Sequence, residues 1–214
     1  MLLLKERKEI IKTGRKMLSA GLTTGTGGNI SCFNREQGLI AITPSGIEYP
    51  DLECRDLLVM SPRGKIIQGE NKPSSETGFH LGIYGKREDV TAVVHTHSVY
   101  ATTFACLNRE IPAVHYLVGF AGTSVPVAPY ATFGTDQLSQ NINATLGNCN
   151  AVLLANHGLV AVGSSLVQAF NTAEEIELVA RICFQAESIG SPSILSNDEM
   201  ARVIEKFADY GPGK

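Results

Sequence analysis

The stretch AVVHTHS, residues 92–98, decides how the rest of the chain is read. An apolar run leads into two histidines separated by one residue. Side chains alternate along a strand, so residues two apart point the same way. His95 and His97 can therefore turn toward one point from the end of one strand. Alone, this pattern reads equally well as two half-buried histidines with satisfied hydrogen bonds. Two further stretches change the weight. LLANHGL, residues 153–159, sets His157 at the end of a second apolar run, and KPSSETGFH, residues 72–80, sets Glu76 at a helix start behind a serine-rich loop. Three imidazoles and a carboxylate form a donor set suited to Zn²⁺. His80, four residues after Glu76, lies on the same helix face and is a rival ligand. Its simpler reading is a surface histidine or one that supports the ligands from behind. His115 stays uncommitted.

Working outward, an amphipathic helix covers residues 4–20 and stops at Gly21. Strands over 30–33 and 39–43 form one hairpin, and strands over 57–60 and 65–67 form another. A helix over about 76–85 follows Pro73, with Ser74 or Ser75 as its N-cap. A strand over 91–94 ends at His95, and residues 98–107 are helical. Residues 111–133, rich in glycine, proline and aromatics, hold short strands at most. Asp136 caps a helix to about Leu146. Strands over 151–155 and 159–162 flank Asn156-His157-Gly158. The longest helix spans 165–188, and a last one lies near 197–207, before a tail holding Tyr210. With no internal repeat or linker, residues 1–214 read as one α/β domain whose sheet is largely antiparallel or mixed.

Bulk properties exclude several classes. A net charge of −3 offers no basic field for nucleic acid. No apolar stretch is long enough for a membrane helix or a secretory signal, so neither is expected. The five cysteines are scattered with no C-x-x-C, which argues against a disulfide framework and for a reducing cytoplasm.

Three loops, Gly25-Thr-Gly-Gly28-Asn29, Thr43-Pro-Ser45-Gly46 and Pro73-Ser74-Ser75, carry glycines and hydroxyls. Such loops present amides to a phosphate, and a helix N-terminus adds favourable partial charge. The first is not a Walker loop, because no Gly-Lys-Ser/Thr follows. Nor is it a convincing dinucleotide fingerprint, because a helix precedes it.

Taken together and in order, GTGGNIS, ITPSGI, KPSSE, VVHTHS and ANHGL resemble the class II aldolase/adducin family, over about residues 5–210. Within it, IPAVHY, PYATFGT and EKFADYG are most similar to the L-fuculose-1-phosphate aldolase branch. The resemblance implies a three-layer α-β-α fold, with a mostly antiparallel central sheet covered by helices and a tail from about 207 that could move. It implies one zinc per subunit on His95, His97 and His157, with Glu76 as fourth ligand when no substrate is bound. Gly28, Asn29, Ser45, Gly46, Ser74 and Ser75 would hold a substrate phosphate. Glu76 would be the catalytic base. Tyr116, reaching into a neighbouring subunit's site, would serve the aldehyde oxygen. Phe133 and Tyr210 match aromatics near the site. The implied assembly is a C4 homotetramer with active sites at its interfaces. The implied reaction is reversible cleavage of a ketose 1-phosphate, with L-fuculose 1-phosphate expected, to dihydroxyacetone phosphate and L-lactaldehyde.

Three alternatives share the scaffold. An L-ribulose-5-phosphate 4-epimerase would typically carry Asp in place of Glu76. A sugar-phosphate dehydratase or another small aldolase would act on a substrate other than fuculose phosphate. An adducin-like interaction domain would not be expected to keep the complete ligand set present here.

Overall fold

The strand that carries His95 lies at the centre of the sheet. The computed structural model describes residues 1–208, and Tyr210 with the rest of the tail lies outside them. In chain order the helices are α1 (Leu4–Ser19), α2 (Thr77–Lys86), α3 (Val99–Cys106), α4 (Asp136–Leu146), α5 (Leu166–Ile189) and α6 (Asn197–Ala208). The strands are β1 (Asn29–Asn34), β2 (Leu39–Ile42), β3 (Leu58–Met60), β4 (Ile66–Gln68), β5 (Ala92–Thr96), β6 (Val127–Ala128), β7 (Ala151–Leu154) and β8 (Gly158–Gly163). They form one sheet in the order β4-β3-β2-β1-β5-β8-β7-β6, antiparallel at every pairing except β6 with β7.

Alternation along β5 explains the layers. Ala92 and Val94 join the core beneath α1, α3 and α5, while Val93 faces the opposite core with Phe79 and Ile83 of α2 and Leu138 and Ile142 of α4. Both faces of the central strands are therefore apolar, as a sheet covered on both sides requires. This is the three-layer α-β-α arrangement. The next residue facing α2 after Val93 is His95, whose imidazole meets the edge of Phe79 at 5.8 Å between ring centroids.

Several element ends differ from the sequence reading. β5 runs through His95 to Thr96, because β8 pairs with it as far as Leu159. Thr135, not Asp136, caps α4: its hydroxyl accepts the Leu138 amide, and Asp136 sits in the first turn. Glu76 itself is the residue before α2, and the Ser74 hydroxyl accepts the Glu76 amide one step earlier. Within 111–133 the regular structure is one bridge between Ile111 and Val125, a 3-10 turn over Tyr116–Phe120, and two-residue β6. His115 caps that turn, accepting the Leu117 amide. No helix among the described residues is long and apolar enough to cross a membrane.

Candidate metal and phosphate site

Strand register assembles the site. Asn29 of β1 lies opposite His95, and Thr96 lies opposite Leu159. Close approach at two glycines makes this possible. A Cβ on Gly28, whose φ is +71°, would stand 2.4 Å from the His95 carbonyl oxygen, and one on Gly158 would stand 2.3 Å from that of Thr96. Any side chain there would push β1 or the His157 turn off the end of β5. Glu177 of α5 anchors the turn after His97, its two oxygens accepting the Tyr100 and Ala101 amides at 2.9 and 2.8 Å. In sequence it is one more charge on a long helix, and nothing there marks this role.

His95 is fully buried, and its Nδ1 lies 2.9 Å from the Leu159 carbonyl oxygen. A carbonyl only accepts, so Nδ1 carries the proton and the Nε2 lone pair is free. Around that Nε2 stand His97 Nε2 at 3.1 Å, His157 Nε2 at 3.3 Å and Glu76 Oε2 at 3.3 Å. Glu76 Oε1 lies 3.4 Å from His157 Nε2, and this buried oxygen has no hydrogen-bond partner among the described residues. Lone pairs facing one another at these distances repel unless a cation lies between them. A tetrahedral shell with bonds of about 2.0–2.1 Å has donor–donor edges of roughly 3.3–3.4 Å. The donor set fits a divalent metal on His95, His97 and His157, with Glu76 within reach as a fourth donor.

Electrostatics agree with ligand duty. Partial burial, then the neighbouring His95, lowers His97 and His157 to about 4, although His97 keeps an exposed edge, so both are neutral near pH 7. Burial pushes the Glu76 carboxyl up, but positive charge gathered at the imidazole cluster, together with the Asn29 amide, outweighs it and holds it well below the ordinary carboxylate range. His80 is not a surface residue: it is fully buried and lowered to about 3 by that burial.

A cavity of about 460 Å³ opens beside the imidazoles, within the range of small-ligand sites. Gly28, Asn29, Ser45, Gly46, Ser74 and Ser75 all line it, as do Glu76, His97 and His157. Two of the loops are zipped together. Pro44 bridges Pro73, the Ser45 amide donates to the Lys72 carbonyl, and the Ser74 amide donates to the Thr43 carbonyl. Among the described residues, no lysine or arginine lines the cavity. An anion there would depend on amides, hydroxyls and the N-terminus of α2. Asn29 differs from the other loop residues, because its side chain is committed to Glu76 and His80. Thr26, Gly27, Pro44, Tyr130, Ala131 and Asn156 complete the wall, and none of them is a site residue in the sequence reading. Asn156 had a signal in the Asn-His-Gly turn, where it adopts a φ of +56°. Phe133 lies at the mouth, 67% exposed. Tyr116 is not in this cavity; it is 49% exposed beside a separate groove with Phe120 and Phe207.

The family description "Class II Aldolase and Adducin N-terminal domain" matches residues 8–184. The chain belongs to the class II aldolase and adducin family. It is 54% identical over 211 residues to 5-deoxy-D-ribulose 1-phosphate aldolase of Bacillus thuringiensis serovar kurstaki, covering 99% of each chain. It is 43% identical over 206 residues to L-fuculose phosphate aldolase of Escherichia coli strain K12, covering 95% of this chain and 94% of that one. A solved structure of L-fuculose 1-phosphate aldolase superposes with a TM-score of 0.94 at 45% identity, covering 95% of this chain and 96% of that one. The resemblance to the L-fuculose-1-phosphate aldolase branch therefore holds in sequence and fold, while a relative of higher identity carries the name of another sugar phosphate.

Proposed function

We propose that this protein is a zinc-dependent aldolase that reversibly cleaves the C3–C4 bond of a ketose 1-phosphate whose far end is short and methyl-terminated. One observation carries the reading. Glu76 stands between the imidazole cluster and the hydroxyl-bearing loops, with one oxygen held by Asn29 and the other turned toward His157 without a hydrogen-bond partner. A base in that place stands between a metal that would hold the ketose oxygens and loops that would hold its phosphate.

The assigned roles follow. Gly28, Ser45, Gly46, Ser74 and Ser75 hold the phosphate. When bound, the metal polarises the ketose oxygens as a Lewis acid. In condensation Glu76 removes the proton from C3 of dihydroxyacetone phosphate; in cleavage the C3–C4 electron pair remains on C3, and the proton C3 takes up comes from solvent, relayed by the Glu76 carboxylate. The proton on the C4 oxygen is exchanged with Tyr116 of a neighbouring copy in a homotetramer. What supports a neighbour as the donor is that Tyr116 is half exposed and apart from its own chain's cavity.

For the substrate, 5-deoxy-D-ribulose 1-phosphate is the first reading, supported by the relative 54% identical over nearly the whole chain. Its cleavage releases acetaldehyde. L-Fuculose 1-phosphate is the second, supported by the TM-score of 0.94; it releases lactaldehyde. Both aldehydes end in a methyl group, which suits the mouth formed by Tyr130, Ala131 and Phe133.

The test is a cleavage assay with both sugars and L-rhamnulose 1-phosphate, alongside L-ribulose 5-phosphate epimerisation. Cleavage of the first two, abolished by chelation and restored by Zn²⁺, is expected. Failure to release dihydroxyacetone phosphate from any ketose 1-phosphate would sink the reading.

A further inference from the structure

Behind the candidate base lies a row of buried polar groups that metal binding and phosphate binding do not use. Glu76, His80 and Tyr84 are spaced four apart and share one stripe at the start and along α2, while Asn29 and Ser31 share one face of β1. The two rows interlock. Asn29 Nδ2 lies 2.9 Å from Glu76 Oε2, and Asn29 Oδ1 lies 2.5 Å from His80 Nε2. His80 Nδ1 lies 2.6 Å from Ser31 Oγ, which lies 2.7 Å from the Tyr84 hydroxyl. Asn29, Ser31, His80 and Tyr84 are each at most 4% exposed, so no solvent competes for these bonds.

The ionised carboxylate sets the direction of the whole row. It can only accept, so Asn29 must offer it the amide N–H. The Asn29 oxygen is then left for His80, whose Nε2 must carry the proton. A neutral His80 leaves Nδ1 as acceptor, so Ser31 donates its single hydroxyl proton there. Ser31 in turn can only accept from Tyr84. Every donor points toward Glu76. Phe79 stacks on the His80 ring, with centroids 4.5 Å apart and planes 18° apart, and limits its rotation.

From this we infer that His80 is a positioning residue for the catalytic base, acting through Asn29. It keeps the Asn29 amide from flipping. A flipped amide would set its oxygen against Glu76 Oε2 and turn the carboxylate out of place. Held as observed, one carboxylate oxygen is occupied and the other is free for proton transfer. The inference rests on the aldolase reading above for the role of Glu76, whereas the hydrogen-bond direction does not.

Two measurements test it. In ¹⁵N-histidine-labelled protein, with and without metal, His80 should appear as the Nε2–H tautomer; an Nδ1–H tautomer would overturn the inference. In kinetics, His80→Leu should lower kcat for cleavage, and proton exchange on dihydroxyacetone phosphate, by about 10–100-fold, the range typical of groups that orient ligands. KM and bound metal should change little. His80→Gln, which can still offer an N–H at the position of Nε2, should recover most of that loss. In an Asn29→Ala background, His80→Leu should add almost nothing, because both act on one path. Equal impairment of the Leu and Gln variants, or a loss confined to KM, would show that His80 only fills space. Wild-type protein that neither cleaves a ketose 1-phosphate nor exchanges that proton would instead refute the aldolase reading, while the tautomer would still report the direction of the row.

Discussion

Replacing Glu76 by glutamine isolates the proton-transfer role from the structural ones. The carboxamide has nearly the size and shape of the carboxylate. Its oxygen can take the place of Oε2 and accept the Asn29 N–H at 2.9 Å. Its NH₂ then occupies the Oε1 position, 3.4 Å from His157 Nε2, where the wild-type oxygen has no hydrogen-bond partner. Packing is conserved, and the three imidazoles still offer a metal their Nε2 lone pairs. What disappears is a group able to hold a proton at pH 7. General acid–base catalysis contributes about 10²–10⁴-fold, or roughly 3–6 kcal/mol at about 1.4 kcal/mol per decade. Deuterium uptake at C3 of dihydroxyacetone phosphate, followed by proton NMR in D₂O at matched metal occupancy, should slow by that factor. Exchange within about threefold of wild type, with metal retained, would refute Glu76 as the base and leave it only a ligand; that threshold lies far below the expected acid–base effect.

Three other outcomes follow from the same geometry. Tyr116→Phe should reduce carbon–carbon cleavage far more than proton exchange on dihydroxyacetone phosphate, because its proton belongs to the aldehyde half; equal losses in both assays would remove that role. Gly158→Ala would set a methyl 2.3 Å from the Thr96 carbonyl oxygen and 3.1 Å from His97 Cδ2. It should cost about 1–3 kcal/mol of stability by overpacking and weaken Zn²⁺ binding, and an unchanged melting temperature and affinity would show that the turn can yield. For metal-free protein, the folded state holds His80 at about 3 and His97 and His157 at about 4, against an ordinary 6.5. Below pH 6.5 the unfolded chain therefore binds protons that the folded one refuses. Stability should be complete above that pH and fall as pH drops toward 4, with fully buried His80 the main contributor. Urea midpoints that stay flat from pH 7 to 4.5 would contradict this.

Local periodicity made much of the molecule legible. Alternation placed His95 and His97 on one side of a strand end, and helical spacing placed Glu76 and His80 on one face. The three phosphate-type loops were each ambiguous as turns, yet all of them line one cavity. His80 shows where that reasoning stops. Its spacing from Glu76 was visible, but spacing does not say what lies across from a helix. The partner is β1, which makes His80 neither a ligand nor a surface residue but a buried donor to Asn29, the supporting place that is one of its simpler readings.

The sequence by itself determined the donor types, their places at strand and helix ends, and the family to which those motifs point. Only the tertiary structure decided which ends meet. The order β1-β5-β8 puts Asn29 opposite His95 and Leu159 opposite Thr96. That register fixes the His95 tautomer, closes the imidazole cluster and commits the Asn29 side chain to Glu76. Tyr116, which the family resemblance assigns to a neighbouring subunit's site, stands outside its own chain's cavity, on a 3-10 turn packed against α5 and α6. Strand and helix periods act over a few residues, whereas these contacts join positions 47 to 64 residues apart. They are set by the packing of α2 and β8 around the central strands.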